Sequence, residues 1–169
     1  MDSIIFDVDG TLWDSTEIVA EAWNDYLTNT EHMDTDVSSR RLMGLFGQLL
    51  PDIAKALFPK LPESEQLRII DGCCQAEHEA LLRKCAPLYP QLEETLKNLS
   101  ARFPLFIVSN CQAGYIEVFL QATGFGHYFK GHLCPGDTGM AKAENIMKIR
   151  DDFDLKDPVY VGDTLGDFN

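Results

Sequence analysis

The chain has 169 residues, 45% of them hydrophobic, and a formal net charge of −13. That length holds one ordinary core, or one core with a modest insertion. The acidic balance argues against a nucleic-acid surface, because such affinity rests on basic residues meeting phosphates; any phosphate ligand should be small and held by a local cation. Met1-Asp2 leads straight into a strand without a secretory segment, and no apolar run is long enough to span a bilayer, so no membrane partner is expected. Cys73, Cys74, Cys85, Cys111 and Cys134 are odd in number and contain no Cys-x-x-Cys pair. Reduced thiols and a cytoplasmic location follow more naturally than a disulfide or zinc framework.

Ile4-Ile5-Phe6 reads as a short buried strand that runs into Asp7-Val8-Asp9 and is punctuated by Gly10. Residues i and i+2 on a strand share a face, so Asp7 and Asp9 can point at one reacting centre. Two neighbouring acids are electrostatically costly unless a cation or a reaction needs them. After Thr11 the pattern turns helical. Asp14 and Glu17 resemble a helix-starting box, followed by Ile18, Val19, Ala22, Trp23, Tyr26 and Leu27 at helical spacing. A polar break from Thr28 to Asp36 precedes a short helix through Arg40 to Met43. Gly44 and Gly47 mark a loop, Pro51 can open a helix, and Pro62 can open a longer one carrying Leu67, Ile70, Cys74, Leu81 and Leu82.

From Pro87 onward helices and strands alternate. A helix through Leu92, Leu96 and Leu99 precedes the strand Leu105 to Val108, which ends at Ser109-Asn110. A helix through Ile116, Phe119 and Leu120 is ended by Gly124, and a weaker strand falls near His132-Leu133-Cys134. Lys142 to Phe153 is helical, and Pro158 to Val161 is a strand ending at Gly162-Asp163. Short apolar strands separated by helices predict an α/β fold with a doubly wound parallel sheet. The predicted division is a sheet domain from residues 1–14 and 86–169, interrupted by an all-helical insert over 15–85.

In such sheets ligands sit beyond the carboxyl ends of the strands. Three ends carry polar groups here: Asp7 and Asp9, Ser109 and Asn110, and Asp163 and Asp167. Lys142 can reach the same crevice from the start of its helix. This inventory suits phosphoryl transfer, with a carboxylate nucleophile, a second carboxylate as acid and base, and a hard cation on oxygen ligands. Taken singly, Ser109 reads as a strand-end turn residue, Lys142 as a solvated helix lysine and Asp163 as a helix cap. Only the joint pattern makes them catalytic. Cys111 beside Ser109-Asn110 reads as a bystander, the four histidines as surface or packing residues, and Arg40-Arg41 as a solvated helix face more readily than a substrate contact.

The joint pattern resembles the haloacid dehalogenase-like hydrolase superfamily, in the branch with a helical cap inserted after the first strand. Asp7-Val8-Asp9-Gly10-Thr11-Leu12 is similar to its first motif, Ser109-Asn110 to its second, Lys142 to its third, and Gly162-Asp163-Thr164-Leu165-Gly166-Asp167 to its fourth. The resemblance implies that Asp7 is the nucleophile, forming an aspartyl-phosphate, and that Asp9 is the acid and base. It further implies a Mg²⁺ ion held by Asp7, the Asp9 main-chain carbonyl and Asp163, with Asp167 assisting. Gly10, Thr11, Ser109, Asn110 and Lys142 would then hold the phosphate of a small phosphorylated metabolite.

Dehalogenases of the superfamily lack an acid two residues after the nucleophile, so Asp9 favours phosphate ester chemistry. A phosphatase of the phosphoglycolate-phosphatase-like kind is the preferred reading. The alternative is a sugar phosphomutase similar to β-phosphoglucomutase, whose fourth motif typically carries Glu-Asp where this chain has Gly162-Asp163, and which places a basic residue soon after its cap glycine. Leu45, Phe46 and Gly47 follow Gly44 instead. A receiver-type signalling domain, also phosphorylated on aspartate, would have neither the long insert nor Asp-x-Asp-Gly-Thr. Gly44 to Gly47 and Trp13 are candidates for substrate contact. Family members continue for several tens of residues past the fourth motif, so the resemblance also implies a truncated chain, or a last strand left at an exposed edge.

Overall fold

The computed structural model describes residues 1–34 and 36–164. Its centre is a parallel sheet of four strands: β1 (Ser3–Phe6), β2 (Leu105–Val108), β3 (Phe129–Leu133) and β4 (Pro158–Val161), in the order β3-β2-β1-β4. Every residue of β1 and β2 is buried, as expected of inner parallel strands covered on both faces. Alternation then divides the side chains. Ile4, Phe6, Leu105 and Ile107 join the large cluster that includes Leu92, Leu96, Ile116 and Phe119. Ile5, Phe106 and Val108 point the other way and pack with Ile149. Within the described residues β4 borders β1 alone, and its Val159 and Val161 are exposed.

Between β1 and β2 the chain forms α1 (Thr16–Asn29), α2 (Ser39–Met43), α3 (Leu50–Leu57), α4 (Glu63–Arg83) and α5 (Leu92–Ser100). It leaves and rejoins the sheet side by side. Asp14 N–H donates to Pro87 O at 2.9 Å, Tyr89 N–H donates to Leu12 O at 3.4 Å, and Trp13 bridges Leu88. Beyond β2 come α6 (Tyr115–Thr123), a 3-10 turn (Phe125–Tyr128), β3, α7 (Pro135–Thr138) and α8 (Lys142–Asp152). Gly124 ends α6 at φ 74°, a left-handed conformation that glycine adopts without strain.

The strands at Leu105 to Val108 and Pro158 to Val161 fall where the sequence places them. β3 begins earlier than the predicted stretch and does not include Cys134; the pattern is blurred because Phe129, Gly131 and His132 do not alternate cleanly in hydrophobicity. The start of α1 also differs from the predicted box. Asp14, rather than a reciprocal pair with Glu17, accepts hydrogen bonds from Thr16 N at 3.1 Å and Thr16 Oγ1 at 2.5 Å. The short helix α7 has too few residues to leave a periodic signal.

Helices α1 and α4 pack closely because Gly72 lies against Tyr26: a Cβ at Gly72 would stand 2.0 Å from the Tyr26 hydroxyl and 2.1 Å from Cζ. That hydroxyl donates to Glu31 Oε1 at 2.7 Å, and Arg68 on α4 clasps the same carboxylate at 2.8 and 2.7 Å. A mid-helix glycine ordinarily costs about 1 kcal/mol against alanine. Here the space it leaves outweighs that penalty. We expect Gly72→Ala to destabilise the protein by about 1–3 kcal/mol in urea melts, against the gain helix propensity alone predicts.

Candidate active site

Strand order reverses direction at β1, which has β2 on one side and β4 on the other. This switch point opens a crevice at the carboxyl ends of the strands. Asp7 follows β1 directly. Its N–H donates to Val161 O at 2.9 Å, continuing the ladder with β4, and its Oδ1 accepts from Val8 N at 2.9 Å. The chain then turns tightly: Val8 O accepts from Thr11 N at 3.2 Å and Leu12 N at 2.8 Å, while Gly10 N–H donates to Trp13 O at 3.0 Å. Val8 and Leu12, both fully buried, anchor the turn. Gly10 is required there. It has φ 75°, and a Cβ on it would lie 2.1 Å from Asp163 Oδ2.

Lys142, the first residue of α8, reaches Asp7 with Nζ 2.7 Å from Oδ2. Both side chains are largely shielded, at 11% and 5% exposure, so this pair is screened far less than a surface ion pair. The ammonium also stands 5.4 Å from the Tyr160 ring centroid. Asp9 is fixed by three donors on one oxygen: Ser15 Oγ at 2.6 Å, Tyr115 OH at 2.6 Å and Trp13 Nε1 at 3.1 Å, all on Oδ1. Burial pushes the Asp9 carboxyl up to about 6, against these hydrogen bonds, with the charge of Asp7 adding to the rise.

Asp7, Asp9, Gly10, Ser109, Asn110 and Asp163 all line one cavity of about 150 Å³. Lys142 touches it through Asp7. Thr11 does not line it, and its buried hydroxyl oxygen has no hydrogen-bond partner among the described residues. Asn110 Nδ2 donates to Gly47 O at 2.8 Å, tying the β2 end to the α2–α3 loop, while its buried Oδ1 has no partner among the described residues. Asp167 lies outside the described residues. Gly47 and Phe46 reach the cavity, whereas Trp13 is fully buried beneath it and acts on Asp9. Arg40 and Arg41 are not lining residues. The cavity holds oxygen donors of the hard type that Mg²⁺ takes, in the carboxylates of Asp7 and Asp163.

Sequence reasoning passed over Ser15, Tyr115, Trp23, Glu77 and Gln112. Glu77 on α4 is 4% exposed and lines the cavity. Trp23 Nε1–H donates to its Oε2, and Gln112 Nε2–H donates to its Oε1. Burial pushes the Glu77 carboxyl up to about 8, with Asp9 adding to the rise. No spacing pattern signals Tyr115, Trp23, Glu77 or Gln112, whose contacts join residues 35 to 106 positions apart, whereas Ser15 lies six positions from Asp9. Cys73, Cys74 and Cys111 are buried, and burial contributes to raising each thiol, in keeping with inert thiols.

The haloacid dehalogenase-like hydrolase family model matches residues 4–169. This chain belongs to that family. A haloacid dehalogenase-like hydrolase from Streptococcus pneumoniae superposes with a TM-score of 0.81 at 24% identity, over 99% of this chain and 78% of that one. A protein described as a predicted phosphoglycolate phosphatase from Haemophilus somnus gives 0.81 at 24% identity, over 96% and 77%. One described as a predicted phosphatase from Clostridium acetobutylicum gives 0.79 at 19% identity, over 99% and 78%. At these identities the likeness concerns the fold. Comparison with curated proteins returns no match. No helix among the described residues is long and apolar enough to cross a membrane.

Glu77 also sets a pH dependence. Its folded value of about 8 stands above the ordinary 4.5, so the folded state holds a proton that the unfolded chain releases. Stability is therefore fully present below about 4.5 and is lost as pH rises through about 8. His78, lowered from 6.5 by burial, acts in the opposite sense only as pH falls through its titration. Urea melts between pH 6.5 and 8 should show stability falling with pH, by at most about 1.4 kcal/mol per unit. Glu77→Gln should flatten that slope.

Proposed function

We propose that this chain is a magnesium-dependent phosphatase that hydrolyses small phosphomonoesters through an aspartyl-phosphate on Asp7. The observation that carries the reading is the shielded Asp7–Lys142 pair, 2.7 Å apart, in one crevice with Asp9 and Asp163. A buried carboxylate paired with a single ammonium at a sheet's switch point is an expensive arrangement for structure alone. The fold offers cheaper ways to end a strand.

In this reading the Asp7 carboxylate attacks phosphorus. The bond from phosphorus to the leaving oxygen breaks, its electron pair goes to that oxygen, and Asp9 supplies the proton. Asp9, held through Oδ1, is raised by burial toward the range where it can both give and take a proton near neutrality. It then takes a proton from the water that opens the aspartyl-phosphate. Ser109 and Asn110 hold phosphoryl oxygens beside Gly10, and Lys142 neutralises charge on them. The carboxylates of Asp7 and Asp163 and the Asp9 main-chain carbonyl would hold Mg²⁺, with Asp167 as a further candidate. Bound there, Mg²⁺ supplies charge neutralisation between an anionic nucleophile and an anionic phosphate.

The helical segment 15–85 would serve as the cap over a core of 1–14 and 86–169, and the Asn110–Gly47 hydrogen bond is one closing contact. Five thiols without a pairing fit a cytoplasmic enzyme. Purified protein should release phosphate from p-nitrophenyl phosphate with Mg²⁺ and lose that turnover with EDTA. Asp7→Asn should lower kcat on the order of a thousandfold or more with an unchanged circular dichroism spectrum. An Asp7→Asn protein turning over at the wild-type rate would remove Asp7 from this role. Asp9→Asn should cost alkyl phosphates on the order of a hundredfold in kcat, and p-nitrophenyl phosphate much less, because nitrophenolate leaves without a proton.

A further inference from the structure

Resting on the phosphatase reading, we infer that Glu77 selects the leaving group: it receives a hydrogen-bond donor, a hydroxyl or an ammonium, and turns away substrates that carry a second anion. The cavity's ionisable lining is one-sided. Asp7, Asp9, Asp14, Glu77 and Asp163 face it, and no lysine, arginine or histidine is among the described lining residues. The sequence positions outside the described residues are Thr35, Leu165, Gly166, Asp167, Phe168 and Asn169, none of them basic. Lys142 sits at the phosphoryl end, on Asp7.

Beyond that end, the polar lining is carboxyl, hydroxyl and amide, interleaved with aromatic rings and the apolar Met43, Leu50 and Ile53. Ser15 Oγ and Tyr115 OH are committed to Asp9, and Tyr115 OH also reaches Ser15 Oγ at 3.0 Å. Glu77 stands in the cavity with one N–H on each carboxyl oxygen, from Trp23 and Gln112. Those bonds hold the group in place; below about pH 8 Glu77 is protonated and offers an O–H as well, and once ionised above that each oxygen keeps a further acceptor direction. Once Glu77 is ionised, a carboxylate or second phosphate on the leaving group would be stripped of water beside these acids, with no basic side chain among the described lining residues to receive it, a heavily disfavoured placement. A hydroxyl or protonated amine meets acceptors instead. The same one-sidedness speaks against bisphosphorylated sugars, and so against the phosphomutase alternative.

The test is a panel of kcat/KM values for the full chain with Mg²⁺ at about pH 9, where Glu77 is ionised: glycerol 1-phosphate, phosphoethanolamine and 2-phosphoglycolate, with p-nitrophenyl phosphate as the reference. We expect the first two to exceed 2-phosphoglycolate by about tenfold or more. Glu77→Gln should narrow that ratio several-fold, chiefly by losing phosphoethanolamine if charge governs, or both substrates equally if hydrogen bonding governs. A wild-type preference for 2-phosphoglycolate overturns the inference, as does a Glu77→Gln enzyme slowed by one common factor on all four esters, the mark of a merely structural prop. Should Glu77→Gln fail to fold, the wild-type ratio decides alone. Absence of turnover on every ester, p-nitrophenyl phosphate included, is the different result that sinks the phosphatase reading itself.

Discussion

The parallel pairing of β1 between β2 and β4 is the constraint from which the site follows. Because all three strands run the same way, their carboxyl ends lie along one rim. Each strand end then delivers its polar residue to that rim: Asp7 from β1, Ser109 from β2, Asp163 from β4. The hydrogen bond from Asp7 N–H to Val161 O locks the nucleophile candidate to the neighbouring strand at 2.9 Å. Burial on both faces of β1 and β2 makes slippage expensive, since a one-residue shift would turn Ile5 and Phe106 toward the wrong helices. Precision at the rim is thus a product of the apolar core beneath it.

Concentrating acid in one crevice costs free energy, and the surrounding structure shows where that cost is offset. Lys142 meets Asp7 at the start of α8, three donors converge on Asp9, and two N–H groups hold Glu77. Even so, Asp9 and Glu77 are both pushed upward by burial, so the donors do not fully replace water. Such uncompensated placement is unusual in residues kept only for packing. The position of Gly10 belongs to the same economy, for the Asp163 carboxylate occupies the space where a side chain would otherwise be.

The helical segment is coupled to the sheet through polar contacts as well as through the core. Asn110 reaches the Gly47 carbonyl, Gln112 reaches Glu77 and His78, and Tyr115 reaches Asp9 and Ser15. Residues just after β2 therefore touch both the chemistry of β1 and the helix α4. The loop and helix start that follow β2 thus join the sheet to the helical segment.

The sequence by itself was sufficient for the alternation of strands and helices, for the long helical insertion after the first strand, and for the clustering of Asp7, Asp9, Ser109, Lys142 and Asp163. The first two are local signals, short apolar runs and helical spacing carried by a few adjacent residues, and the third follows because parallel strands bring their polar ends to one rim. Only the tertiary structure decided that Tyr115 would hold Asp9, that Glu77 would stand in the cavity, and that Gly72 would yield its space to Tyr26. It also put Thr11 beside the cavity instead of in its wall. The physical reason is that such contacts join residues far apart in the chain, whose types carry no periodic mark, and are set by how packed elements meet.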